Sequence, residues 1–217
     1  MVLLFLLFPL KKAYLSTVTS KVRGFTTSTV LAPLMQVLDL SPDNDLFIQQ
    51  AALILLDCFG YLPSGYPTLE ESIQEVRNSF APDRISRIAV DRSRTVLGWI
   101  GGIQQYDGRV WELHPLVVKS GFRGQGIGRS PVMDLEAQVK KRGGITLWVG
   151  TDDEEKKTTL SGVNLYPNVC NHIVAIKNLR RHPYEFYQKC GFVIVGVMSD
   201  ANGLGKPDIY MAKPISS

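Results

Sequence analysis

Cysteine and histidine are both scarce in this sequence, with three of each in 217 residues. Cys58, Cys170 and Cys190 lie far apart and form no Cys-x-x-Cys pair. That argues against a disulfide framework and against a thiolate metal centre, and leaves buried, reduced thiols of a cytoplasmic protein as the expectation. His114, His172 and His182 have no zinc-ligand spacing, so no metal is expected. Long apolar runs are missing as well. Val2 to Leu10 is too short to span a bilayer and no positive residue precedes it, so no membrane association is expected. Acids are absent from residues 1–34, which hold Lys11, Lys12, Lys21 and Arg23. The remainder then carries 20 basic and 20 acidic side chains. A neutral body gives no electrostatic reason to expect a nucleic-acid partner. No internal repeat or low-complexity tract is present.

Residues 1–34 fit three descriptions: a secretion signal, an organelle-targeting peptide or an over-extended reading frame. The third is preferred, because Met35-Gln-Val-Leu-Asp-Leu-Ser-Pro-Asp reads as a first strand. One domain over 35–217 is therefore expected.

From Met35 onward the pattern is mixed α/β. Asp45 to about Phe59 carries Phe47, Ala51, Leu55 and Phe59 at helical spacing. A second helix is predicted from Thr68, where Thr-Leu-Glu-Glu forms a capping box with Glu71, and its apolar stripe is Leu69, Ile73, Val76 and Phe80. Strands follow at 85–90, 96–104 and 110–118, the last two joined by an Asp107-Gly108 hairpin signal. A third helix is expected from about Gly128 to Lys141, buried through Val132, Leu135 and Val139. After it come a strand at 145–149, a long polar connection, a helix at 183–190 and strands at 192–197 and 209–212. Gly191 suits the position just past a helix end, where positive φ favours glycine.

The most informative stretch is Arg123-Gly124-Gln125-Gly126-Ile127-Gly128. It follows an apolar strand and opens a helix, so its amides can converge on an anion. A dinucleotide fingerprint fails because Arg129 stands where the third glycine belongs, and a Walker A loop fails for want of Gly-Lys-Ser/Thr. What fits is Arg-x-x-Gly-x-Gly, which resembles the pyrophosphate loop of GNAT acetyltransferases. Two flanking features agree with it. Trp111-Glu-Leu-His-Pro-Leu-Val-Val118 is an apolar strand broken by Pro115, which implies a bulge or a break in pairing. Tyr184-Glu-Phe-Tyr-Gln-Lys-Cys-Gly-Phe192 resembles the GNAT helix that carries an acidic tyrosine. The likeness narrows to aminoglycoside 6′-N-acetyltransferases through Arg142–Thr146, Gly150–Asp153, Thr158–Ser161, Asn178–Tyr187 and Ala201–Lys213. It spans roughly Ala89 to Pro214 and is weaker from Met35 to Ile88.

The resemblance implies a GNAT fold: an α/β domain with a central mixed, mostly antiparallel sheet, flanked by helices and splayed between strands four and five, where acetyl-CoA enters. It implies Val117, Val118, Arg123, Gly124, Gln125, Gly126, Ile127 and Gly128 as cofactor-binding. The Leu116 amide would steady the oxyanion and Tyr187 would protonate the departing thiolate. Pro131, in the first turn of the third helix, departs from the family pattern but is tolerable there. Acetyl transfer also needs a neutral amine, and Glu112 is the candidate to hold the ammonium or take its proton, directly or through water. His114 shares its strand face unless the bulge falls between them, and either orients substrate or is structural. Asp152, Asp153, Glu154 and Glu155 would receive other ammonium groups of a polycation, although a solvated loop explains Glu154 and Glu155 equally well. A homodimer using the 209–212 strand is expected. The alternatives are a protein or peptide N-acetyltransferase and a non-catalytic acetyl-CoA sensor.

Overall fold

Asn44 opens the first helix by accepting the Phe47 amide on its side chain at 3.1 Å, one of the four donors that a helix start leaves without a partner. A computed structural model describes residues 35–63 and 65–215; the predicted leader lies outside the described residues. The elements are β1 (Gln36–Asp39), α1 (Asp45–Phe59), α2 (Leu69–Asn78), β2 (Arg84–Val90), β3 (Val96–Gln105), β4 (Val110–Val118), α3 (Arg129–Lys141), β5 (Thr146–Asp152), α4 (Val169–Val174), α5 (Tyr184–Lys189), β6 (Val193–Met198) and β7 (Asp208–Pro214). They form one seven-stranded sheet in the order β1-β2-β3-β4-β5-β7-β6. Every neighbouring pair is antiparallel except β4 with β5.

Helices cover both faces. Phe47, Ile48, Ala51, Leu55 and Val76 of α1 and α2 pack with Ile88, Trp99 and Val117 on one side. Val132, Leu135 and Val139 of α3 pack with Ile85, Ile100, Trp111 and Leu147 on the other, together with Tyr184 and Tyr187 of α5. The buried Arg87 guanidinium fastens α3 to the sheet, donating to both Asp134 oxygens at 2.6 and 3.1 Å and also pairing with Asp39.

Several expectations need correction. The Thr68–Glu71 capping box forms with both reciprocal bonds. The helix ends at Asn78, however, so Phe80 lies beyond it, and Leu69 is exposed. Tyr106, Asp107 and Gly108 all take positive φ, and the last strand pair is Gln105 with Val110. The connection is thus four residues rather than a two-residue Asp-Gly turn. β5 runs on to Asp152, and α4 interrupts the long polar connection. None of the three cysteines is fully buried, and Cys170 is exposed. β7 is an interior strand with Ile209 and Met211 fully buried, so it offers no edge for pairing with a second copy; the sheet edges are β1 and β6.

Candidate functional site

Pro115 cannot donate to a ladder, and the β3–β4 register slips where it sits: Gly102 faces Leu113 and Ile100 faces Leu116, leaving His114 and Pro115 opposite Gly101 alone. The extra residue turns the strand over. Before it, Trp111 and Leu113 point to the α3 side; after it, Val117 points to the α1 side. The bulge begins after Leu113, so Glu112 and His114 share the face away from α3, while Leu116 packs on the α3 side. A Cβ at Gly101 would stand 2.2 Å from the His114 carbonyl oxygen, so the bulge closes only over glycine.

Beyond the bulge β4 loses its second neighbour. Pairing with β5 stops at Glu112–Trp148, although β4 continues to Val118 and β5 to Asp152. The Lys119 amide donates to the Leu97 carbonyl at 2.8 Å. Antiparallel ladders alternate, so Val117 also turns its amide to β3 while Leu116 and Val118 turn theirs to the open side. The Val118 carbonyl agrees with this, accepting from Arg123 Nε at 3.0 Å rather than from β3. The two strands thus part into a wedge.

A cavity of about 610 Å³ fills that wedge. Its walls are Leu113 to Val118 of β4, Val149 to Asp152 of β5, and Pro183, Phe186 and Tyr187 at α5. One end is closed by Phe122, Arg123, Gly124 and Gly126 to Gly128 of the glycine-rich loop, which leads into α3 with no side-chain cap. Gly124 and Gly126 have φ of +75° and +84°, and a Cβ on either would project into open space. A Cβ at Gly128 would meet Phe186 at 3.2 Å, so that glycine is there for close packing. Ile127 is buried, and Gln125 turns away to donate to the Gly121 carbonyl at 2.9 Å. Arg123 also folds back, reaching Cys58 Sγ at 3.1 Å and Asp57 at 3.3 Å.

Tyr187 is buried, and that burial pushes its phenol well above the ordinary tyrosine value. It is held from behind. α5 closes with the Phe192 amide on the Tyr187 carbonyl at 3.0 Å and the Gly191 amide on Gln188 at 2.9 Å, with Gly191 at φ +89°.

The second half of the site is the face of β4, β5 and β7 turned away from α3. It carries Glu112, Trp148, Asp152, Asp208 and Tyr210, with Trp148 edge-on to Tyr210 at 5.6 Å between ring centroids. Glu112 is half-buried, and desolvation raises its carboxyl above the usual range although His114, Arg84 and a bond from Gln105 oppose the rise. Gln105 Nε2 donates to Glu112 at 2.7 Å while its own oxygen accepts Trp148 Nε1 at 3.0 Å. Asp208 is pushed up to about 7, first by burial and then by the charge of Asp152. Its Oδ1 is buried without a partner, and the amides of Thr151 and Ile209 offset only part of the rise. His114 meets the Tyr66 hydroxyl at 3.4 Å.

Of the expected acids, Asp152 and Glu155 line the cavity, and Glu112 stands beside it, next to the lining residue Leu113. Asp153 must be reassigned. It is fully buried, and its carboxylate accepts the Thr158 amide at 2.9 Å and the hydroxyls of Thr158 and Ser161 at 2.7 and 2.8 Å. It builds the loop and offers no oxygen to a ligand. Glu154 is absent from the cavity wall. Sequence reasoning missed Tyr61, Tyr66, Trp148, Asp208 and Tyr210. The last three were accessible to it, since strand alternation from Glu112 and Asp152 puts them on one face.

Among the described residues no group of three or more His, Cys, Asp or Glu is placed to hold a metal ion. Nor is any helix there long and apolar enough to cross a membrane. No curated protein matches the sequence significantly. Solved structures do. An aminoglycoside 6′-N-acetyltransferase complexed with coenzyme A is 42% identical, with TM-score 0.78, matching 84% of this chain and 98% of that one. The aminoglycoside 6′-N-acetyltransferase from Enterococcus faecium is 43% identical over the same shares, with TM-score 0.76. An aminoglycoside 6′-acetyltransferase type Ii is 38% identical, again over 84% and 98%, with TM-score 0.64. The model of the Acetyltransferase (GNAT) family matches residues 50–159, the stretch that holds the bulge, the wedge and the glycine-rich loop. With relatives this similar along nearly their whole length, the chain belongs to the GNAT acetyltransferases.

Proposed function

We propose that this acetyltransferase moves the acetyl group of acetyl-CoA to a primary amine of a polycationic small molecule, the 6′-amino group of an aminoglycoside. The observation that carries the reading is the carboxylate-bearing sheet face, Glu112, Asp152 and Asp208, lying alongside the β4–β5 wedge. Such a face suits several ammonium groups at once, and relatives at 38–43% identity are aminoglycoside 6′-N-acetyltransferases.

Acetyl-CoA lies in the wedge with its pyrophosphate on the loop from Arg123 to Gly128 and its pantetheine arm along Val117 and Val118. Glu112, made more basic by burial, takes a proton from the acceptor ammonium through water, with His114 orienting the amine. The neutral nitrogen attacks the thioester carbonyl, whose oxygen gains negative charge beside the Leu116 amide. One such donor contributes ~3 kcal/mol. The carbon–sulfur bond breaks, the thiolate takes the Tyr187 proton, and the new amide nitrogen gives up its second proton to solvent, which later restores the phenol.

The test is thiol release by residues 1–217 with kanamycin-type aminoglycosides, N-terminal peptides and no acceptor. Turnover confined to peptides would overturn the acceptor assignment, and acetyl-CoA binding without any turnover would overturn catalysis. Tyr187→Phe keeps the ring and loses only the acid, so kcat should fall about a hundred- to ten-thousand-fold. Wild-type kcat in that variant would leave water as the acid.

The chain is further read as a cytoplasmic homodimer. Val193, Val195 and Met198 are exposed on the edge strand β6, where a second copy would cover them. A monomeric mass by light scattering at micromolar concentration would remove the dimer.

A further inference from the structure

Glu155 is claimed from two directions. Tyr61, in the segment after α1, donates its hydroxyl to Glu155 Oε2 at 3.2 Å across 94 residues of sequence. Lys157 brings its ammonium to the same oxygen. All three side chains line the cavity, so the contact spans it from the α1–α2 connection to the loop after β5.

Lys157 is delivered there by a rigid backbone. Its amide donates to Asp153, and its carbonyl accepts Leu179 and Arg180 at 2.7 and 3.2 Å. Lys156 before it takes φ +56°, a left-handed turn just ahead of the lining residue Lys157. The same buried Asp153 that is closed to ligands therefore fixes where this ammonium sits.

We propose that Lys157 is a specificity-determining residue of the acceptor site: a tethered ammonium that occupies Glu155 until a polycationic acceptor displaces it. This rests on the acceptor reading above and names the device that grades its substrates. An acceptor with one amine reacts without disturbing the pair. An acceptor with further ammonium groups must share Glu155 with the Lys157 ammonium or push it aside, so Lys157 weakens polycation binding relative to a site with a free carboxylate. The Glu155 and Lys157 side chains are 40% and 29% exposed, which keeps the effect modest. Exposed pairs of this kind correspond to roughly two- to five-fold in an equilibrium constant.

The experiment compares Lys157→Gln, Lys157→Arg, Glu155→Gln and the Lys157→Gln/Glu155→Gln double variant. Acceptors are an aminoglycoside and a single-amine analogue, with thermal melts to confirm folding. Lys157→Gln should lower KM for the aminoglycoside about two- to five-fold and leave the single-amine KM unchanged. Lys157→Arg should restore the wild-type value. In the Glu155→Gln background, losing Lys157 should change nothing further. An unchanged or raised aminoglycoside KM in Lys157→Gln overturns the proposal, as does a raised acetyl-CoA KM, which would assign the ammonium to the cofactor phosphates. Failure of the underlying reading shows separately, as wild-type enzyme that acetylates no aminoglycoside. In that event calorimetric titration with the same two cations decides: tighter binding of the polycation to Lys157→Gln supports the tethered ammonium, and equal binding refutes it.

Discussion

Phe192 holds Tyr187 twice: its ring stands edge-on to the tyrosine ring, 5.5 Å between centroids, and its amide donates to the tyrosine carbonyl at 3.0 Å. Both contacts depend on the chain reversing at Gly191, where φ is +89°. The turn that ends a six-residue helix therefore also aims the phenol into the wedge.

Gly191→Ala tests that dependence. An added Cβ meets only the Lys213 side chain, at 3.3 Å, so the cost is backbone strain rather than a clash. The variant should lose about 1–2 kcal/mol of stability. Its kcat should fall while the acetyl-CoA KM stays near wild type, because Tyr187 shifts and the loop does not. Chemical denaturation and steady-state kinetics on one preparation check both.

The glycine-rich loop gives a contrasting case. Gly126 has φ +84° with open space where a Cβ would stand, and that space belongs to the cavity. Gly126→Ala should raise the acetyl-CoA KM, because the methyl enters the pyrophosphate path. Gly143 also has positive φ with no neighbour, but it lies outside the cavity wall, so Gly143→Ala is the control for strain alone. Equal effects on KM in the two variants would make the loop a structural turn.

The repeating features of the fold were legible, and the single long-range contacts were not. Apolar spacing gave α1 and α3, the Thr68–Glu71 pair gave the start of α2, and Gly191 marked the end of α5. α4 escaped because none of its six residues is buried, so no apolar stripe marks it. Asp152 and Asp153 read as equivalent until strand alternation turns one outward and folds the other into a loop. The Tyr61–Glu155 bond joins residues 94 apart, and no local pattern encodes it.

Asp208 makes stability depend on pH. Its carboxyl is raised from 3.8 to about 7, mainly by burial, with one oxygen unpartnered. Between those values the folded protein holds a proton that the unfolded chain has released, so stability falls as pH rises from about 4 to 7 and is level above that. A rise of this size corresponds to at most ~4 kcal/mol, and partial exposure brings the expectation to about 1–3 kcal/mol. Asp208→Asn should therefore raise the melting temperature at pH 8 and much less at pH 5. A gain equal at both pH values would show that the carboxyl does not titrate in this range.

Glu112 is raised by burial as well, but it has a side-chain donor. Desolvation raises its pKa, and the bond from Gln105 Nε2 lowers it by favouring the charged form. Trp148 Nε1 fixes which end of the Gln105 amide faces the carboxylate. A base works only when ionised, so activity should fall as pH drops through the Glu112 pKa. Gln105→Leu removes the bond that favours the carboxylate; its pKa rises further, and the acidic limb of kcat/KM should move to higher pH. Trp148→Phe frees the amide to turn, and should shift the limb the same way by less. Glu112→Gln should abolish this limb and lower the plateau. Measuring all three variants on one acceptor cancels that acceptor's own ionisation. An acidic limb that stays in place in Gln105→Leu would mean that another group takes the proton and that Glu112 serves only to hold the ammonium.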